Sequence, residues 1–476
     1  MVFSSLLFVF AFLSLNIVLY FLCPTTKSRN VIMLIFSLVF YSWAGPKYLL
    51  LLIGMTWLSY MAALWIEDAS QALASSPDRK TEKHLLFLYC FLMLAILGFF
   101  KYTGFFLNNI QLLTGFPKVV PQIVLPIGIS FYTFQLISYV VDVYRREVPA
   151  QQKFWLLLLY ASLFHQCIAG PIVRYQTVQK EISHREMTLE GFSNGIQRFC
   201  VGLAKKAVLA NTCASAADTL LATDTLSTAP VASLWLGMLY YMLQIYLDFS
   251  AYSDMAIGMG NMIGFHYLEN FNYPYISGSV KEFWRRWHIS LSTFFRDYVY
   301  IPLGGSRKGQ LLTIRNIFIV WALTGFWHGA SWNYILWGLY FFLFLLLERL
   351  FLGSLLDHLP KFMGWIYAMT VVFFGWVLFR FEDLGQLGIV LKGMFGGNGN
   401  VLCSMETTSV FQNYMFFLVI ALFSVTPLTK KAGAWLLEQY PSVYQVCGIL
   451  IPAILLILST LALVGNSYNP FLYFQF

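Results

Sequence analysis

The sequence predicts an all-α polytopic membrane protein, with about 10–12 transmembrane helices and short re-entrant or interfacial helices around an internal cavity. Three observations predict it. Hydrophobic residues fill 59% of the 476 positions and charged residues only 11%, and the mean hydropathy is +0.67. A soluble core could not bury that much apolar surface, whereas a bilayer can. The apolar residues are gathered into a series of runs of spanning length. Several of those runs carry glycine and proline, and breaks of that kind are tolerated at membrane depth only where the backbone is buried in protein or lines a wet cavity.

The first run, "MVFSSLLFVFAFLSLNIVLYFLCP", has no basic region ahead of it and no small-residue cleavage pattern, so it reads as a first span retained in the mature chain and not as a signal peptide. Cys23 near its end lacks the upstream charge that a lipoprotein cysteine would have. Further runs follow at about residues 31–44, 48–65, 85–100, 123–143, 153–169, 229–247, 311–327, 331–350, 362–379, 414–427 and 444–464. The breaks "LPIGIS" (125–130) and "AGPI" (169–172) fall inside two of them. Lys27 and Arg29 flank the first span, and Arg79, Lys80 and Lys83 lie in the loop two crossings later. Both loops are therefore expected on the cytoplasmic side and the N-terminus outside. "KGMFGGNGN" (392–400) is expected to be a flexible loop.

The net charge of +8 is an ordinary excess for such a protein, and no basic tail or aromatic-interleaved basic patch points to nucleic acid. The seven cysteines are scattered singly, without a CxxC pair or a histidine at ligand spacing, so neither a disulfide framework nor a metal site is expected. No repeat of fixed period is visible. The chain is read as one membrane domain over 1–476, with a core segment at 272–333 and an aromatic end at 469–476.

Ionisable groups need a reason to sit in so apolar a chain. Arg285, His288, Ser292 and Arg296 are spaced three, four and four apart, which places them on one face of an amphipathic helix over 280–300. Trp284, Trp287, Leu291, Phe294 and Phe295 take its other side. Two readings fit. One is an interfacial helix whose arginines meet lipid phosphates while its tryptophans sit at headgroup level. The other is a cationic wall facing a phosphorylated ligand, since guanidinium groups bind phosphate bidentately.

His328 lies mid-run in "LTGFWHGASWN". Gly325, Gly329 and Ala330 around it would let a helix or ligand approach closely, and Thr324 and Ser331 are expected on its helical face. A lone histidine there could be a satisfied structural residue. The second histidine and the arginine face forty positions upstream favour a functional one. Desolvation keeps an imidazole neutral, and a neutral imidazole can take a proton from a hydroxyl. His328 suits that base role better than His288, whose protonated form Arg285 and Arg286 would disfavour; a hydrogen bond from His288 to a thioester carbonyl is a second role.

The strings "ENFNYPYISGSVKEFWRRWHISLSTFFRDYVYIPLGGSRKG" and "LTGFWHGASWNYILWGLYF" resemble the core of the membrane-bound O-acyltransferase (MBOAT) superfamily, with alginate-type polysaccharide O-acetylation subunits nearest. "LPIGISFYTFQLISYVVDVYR", "QIYLDFSAYSDMAIGMG" and "LKGMFG" extend the resemblance over nearly the whole chain. It implies a central tunnel, a catalytic histidine at His328 and a required one at His288. It also implies an acyl group, acetyl in the nearest relatives, taken from a cytoplasmic thioester such as acetyl-CoA, with no bound cofactor. The group would pass across a bacterial inner membrane to an extracytoplasmic polysaccharide, usually through an SGNH-type or other partner acetyltransferase. Arg285, Arg286, Arg296 and Ser292 are candidates for holding the donor. The aromatic end resembles those of polysaccharide O-acetylation and teichoic acid D-alanylation systems, which makes Tyr473 a candidate for the acyl exit, either positioning the acceptor or briefly carrying the acyl group. An interfacial anchor is its plainer reading. The chain departs from the family at "FHQCIAGPI", where His165 is either an added tunnel group or a tolerated substitution, and at Ala251, where a glycine is usual. Asp248, Asp254, Gln135 and Asp142 are expected to be structural hydrogen-bonding groups. D-alanyl transfer from a carrier protein is a competing chemistry, and an anion or proton transporter or channel a competing class.

Overall fold

The structure is a computed structural model that describes residues 2–43, 45–72, 79–166 and 170–465. All regular structure among them is helical. Among the described residues, seven helices are long and apolar enough to cross a membrane, from Pro46–Ser70 to Pro441–Gly465, and three shorter apolar segments accompany them. Every apolar run in the sequence falls on a helix, but several helices are shorter than their runs. Among the described residues of the run at 153–169, the helix covers Phe154–Ser162 and a turn follows at Phe164. Tyr473 and the rest of the aromatic end lie outside the described residues, as does Cys167. The six described cysteines are free thiols.

The chain divides into two compact units, Met1–Phe199 with Met255–Leu268, and Cys200–Asp254 with Glu269–Phe476. In the first, the Pro46–Ala72 helix packs against Lys80–Thr114 and Ile129–Tyr144. Tyr20 donates a hydrogen bond to the Ile263 carbonyl at 2.9 Å and accepts one from Arg185 at 3.1 Å. His165 belongs to this unit. Its ring lies edge-on against Phe164, and its Nδ1 is 3.3 Å from the Tyr267 hydroxyl. Gln135 donates to the Tyr160 carbonyl at 3.4 Å, a structural role of the kind expected.

In the second unit the Gln310–His328 and Trp332–Leu347 helices cross at close range. Glycine makes the crossing possible: a Cβ on Gly325 would lie 2.5 Å from the Tyr334 carbonyl oxygen, and one on Gly338 2.5 Å from that of Trp321. Backbones approach this closely only where small residues remove the side chains between them. Two ion pairs tie the π-helical turn Lys205–Ala210 to the Val231–Met262 helix, Lys206 with Asp248 and Lys205 with Asp254, each at 2.7 Å. Both lysine partners escaped the sequence reading. Within the glycine-rich stretch 392–400, Asn398 donates to the Ile389 carbonyl at 3.1 Å and Asn400 to those of Ser227 and Ala229 at 2.9 and 3.1 Å.

Candidate functional site

A cavity of about 1810 Å³ opens in the second unit, and both His288 and His328 are on its wall. Pockets for ordinary small molecules hold roughly 300–1,000 Å³, so this one has room for an extended ligand. Arg285, Ser292, Arg296 and Thr324 also line it, as do Lys281, Arg349 and Lys361. Glu282, Glu348 and Asp357 are on the same wall, so the lining carries both signs of charge.

The segment that carries His288 is not one helix. Helix Val280–Arg286 stops at Trp287, which is extended, and His288 takes a left-handed conformation (φ 44°, ψ 55°) before a second helix, Ile289–Phe295, begins. A non-glycine residue persists there only where its surroundings over-determine it. Asn270 does much of that. Its carbonyl accepts the Ile289 N–H at 2.9 Å, and its Oδ1 accepts the Ser290 N–H at 3.1 Å and the Ser290 hydroxyl at 2.9 Å. His288 Nδ1 lies 3.2 Å from the same Oδ1. The expected single polar face is therefore broken in the middle, yet Arg285, His288, Ser292 and Arg296 still reach one cavity because its wall follows the bend.

The first helix is capped twice at its N-terminus. Ser279 accepts the Glu282 N–H at 3.0 Å, as an N-cap serine does. The Glu348 carboxylate accepts the N–H groups of Val280 at 2.6 Å and Lys281 at 3.0 Å. Arg286 is turned to structural work and is not on the cavity wall: it pairs with Glu282 at 2.8 Å and donates to the Asn272 carbonyl at 3.1 Å. Arg285 is exposed at the cavity, and Arg296 pairs with Asp297 at 2.6 Å. Trp287 is only 2% exposed and packs on Phe271, Phe283 and Trp376. The tryptophan at headgroup level that an interfacial helix would need is thus buried in protein.

His328 is the last residue of the Gln310–His328 helix and not mid-helix, because Gly329 is extended and the next helix starts only after Ser331. Thr324 shares its face and the cavity; Ser331 lies beyond the break. Aromatic edges fix the imidazole, with ring centroids of Trp337 at 4.8 Å, Trp327 at 5.0 Å and Phe379 at 5.2 Å. His288 is enclosed in the same way by Phe249 at 4.7 Å and Trp327 at 5.8 Å. The indole of Trp327 thus touches both histidines. Among residues the sequence did not single out, Asn270 and Glu348 matter most, and neither leaves a local pattern because each acts across 18 positions or more.

Two buried imidazoles on one roomy wall, with cations at its edge, suit transfer of a group between large ligands. A family model described as "MBOAT, membrane-bound O-acyltransferase family" matches residues 38–385. The chain belongs to this family. This makes it a membrane O-acyltransferase, and the transporter or channel reading falls away. The chain is 39% identical to "Probable alginate O-acetylase AlgI" of Azotobacter vinelandii, over 100% of both chains. It is 33% identical to "Peptidoglycan O-acetyltransferase" of Helicobacter pylori, over 85% of this chain and 82% of that one. It is also 30% identical to "Teichoic acid D-alanyltransferase" of Bacillus subtilis, over 45% of this chain and 56% of that one.

Proposed function

We propose that this O-acyltransferase takes an acetyl group from a cytoplasmic thioester, acetyl-CoA or a chemical equivalent, and delivers it to a hydroxyl of an extracytoplasmic polysaccharide. It would do so in a bacterial cytoplasmic membrane, with a partner acetyltransferase completing delivery. The observation that carries the reading is the shared cavity of His288 and His328; the names of the alginate and peptidoglycan relatives support acetyl as the group and a polysaccharide as the destination.

Arg285 and Arg296 would hold the phosphate-bearing end of the donor at the cavity edge, with Ser292 further along the same wall. Arg286, tied to Glu282, serves instead to hold its helix. The acceptor oxygen attacks the thioester carbonyl carbon while His328 takes the hydroxyl proton. As the C–O bond forms the C–S bond breaks, and the imidazolium returns its proton to the leaving thiolate. The position of His328 at a helix C-terminus favours the transient positive charge, because the exposed carbonyl ends of a helix attract cations. Tyr473 keeps its two candidate roles at the acyl exit, and a Tyr473→Phe protein that retains full transfer would exclude the covalent carrier role.

The test is thioester consumption by the protein in liposomes, offered labelled acetyl-CoA or a D-alanyl carrier protein, with and without the candidate partner. Turnover of acetyl-CoA that disappears in His328→Ala supports the proposal. Turnover of the D-alanyl carrier alone would overturn the acetyl assignment in favour of the chemistry named for the Bacillus relative. No turnover of either donor with the partner present overturns the thioester route.

A further inference from the structure

Asn270 does more than hold a bent backbone. Amide oxygen and nitrogen look alike in shape, but here the Ser290 backbone N–H, 3.1 Å away, can only donate, so the atom facing it must be the oxygen. That oxygen is also 3.2 Å from Nδ1 of His288. An amide oxygen cannot donate; Nδ1 must therefore carry the hydrogen. The Ser290 hydroxyl, 2.9 Å from the same oxygen and 3.4 Å from Nδ1, is compatible, since it donates to Oδ1 and offers Nδ1–H a lone pair. The partner is an amide and not a carboxylate, so it brings no negative charge that would favour an imidazolium. His288 lies between the apolar spans, and burial pushes its pKa well below the ordinary imidazole value.

We propose that Asn270 is a positioning residue that locks His288 in its Nδ1–H tautomer, so that Nε2 presents a lone pair and His288 accepts a hydrogen bond from an O–H or N–H group of the bound ligand. This deepens the acyl-transfer reading and rests on it for the identity of the ligand. It reverses the role assigned to His288 from sequence: a ring with its only hydrogen held by Asn270 cannot donate to a thioester carbonyl. The left-handed backbone at residue 288 acquires a purpose, because it lets residues 288, 289 and 290 all turn toward one asparagine.

The tautomer can be read without any turnover. In full-length protein labelled with ¹⁵N-histidine in lipid nanodiscs, the His288 resonances are those lost in His288→Gln. The expected pattern is a protonated Nδ1 and a bare Nε2, changing toward protonated Nε2 in Asn270→Ala. A wild-type ring protonated at Nε2 overturns the proposal even if acyl transfer is confirmed, and the expected pattern upholds the tautomer even if transfer is not. Adding a non-hydrolysable acetyl-CoA analogue, then an alginate oligosaccharide, should perturb the Nε2 resonance. A response to the analogue alone assigns the bond to the amides of the donor arm, and a response only to the sugar assigns it to an acceptor hydroxyl. No response to either overturns the acceptor role. As a second check, Asn270→Asp supplies a carboxylate that still accepts from Nδ1 but stabilises the imidazolium. The pH at which the His288 ring takes its second proton, followed through the same ¹⁵N resonances, should move up by about one unit or more; an unmoved midpoint with reduced activity would mean that Asn270 is only structural.

Discussion

The two histidines face one cavity and both are enclosed by aromatic rings, but the backbones that carry them are held differently. His328 rests on close packing, with a helix crossing pressed together through Gly325 and Gly338 and an imidazole boxed by Trp327, Trp337 and Phe379. His288 rests on directed hydrogen bonds, with a left-handed backbone between two seven-residue helices and three polar contacts converging on Asn270 Oδ1. Aromatic packing fixes where a ring sits, and the contact with Asn270 would also fix which nitrogen of His288 is protonated. The difference suits a division of labour. A base must gain and lose a proton in each cycle, and a residue that orients the ligand must keep one protonation state throughout.

Removing the base should have the largest effect. His328→Ala should lower the rate of thioester turnover by about 10²- to 10⁴-fold, the range that a positioned general base contributes. Donor affinity, measured by binding of acetyl-CoA in the absence of an acceptor, should change far less. An equal loss in both would mean that His328 binds the donor and does not act on the proton. The packed side can be broken without touching its histidine. Gly325→Leu forces a side chain into the Tyr334 backbone, and overpacking of this kind costs about 1–3 kcal/mol. The expected result is a lower Tm with His328-dependent turnover reduced in step.

The fold class was legible because a bilayer demands long apolar runs, and each run is found on a helix. His328 stood out as a candidate because a histidine among glycines and tryptophans is chemically out of place there. The break at Trp287 was not, because the three-and-four spacing continues through it and neither glycine nor proline marks it. The left-handed turn is imposed from Asn270, at a distance no periodicity spans. Arg285 and Arg286 are adjacent and alike in sequence. Only the placement of Glu282 and the Asn272 carbonyl separates the one that faces the cavity from the one that braces the helix.

On the hydrogen-bonded side, Glu348 provides a smaller test. Its carboxylate satisfies two N–H groups at the start of the Val280–Arg286 helix, and Glu348→Ala leaves both donors without it. An unmade buried hydrogen bond costs about 1–3 kcal/mol. Because the loss falls on the helix leading into His288, it should appear as a reduced Tm accompanied by weaker turnover, with Glu348→Gln recovering much of both. A Gln variant no better than Ala would show that the negative charge at the helix N-terminus matters more than the hydrogen bonds.

The smallest effect separates the two neighbouring arginines. Arg285→Ala removes an exposed cation at the cavity, where contact with a donor phosphate is screened by water and salt, so a contribution on the order of 1 kcal/mol is expected, or roughly a five-fold rise in the KM for acetyl-CoA. That rise should shrink as ionic strength increases, because the Debye length falls from about 10 Å at 0.1 M to 3 Å at 1 M. Arg286→Ala removes a group already engaged by Glu282 and the Asn272 carbonyl. It should lower stability and leave both KM and its salt dependence near wild type. If the two variants instead raise KM equally, the cavity edge reads total charge and not position, and the bend at His288 has no part in presenting Arg285 to the donor.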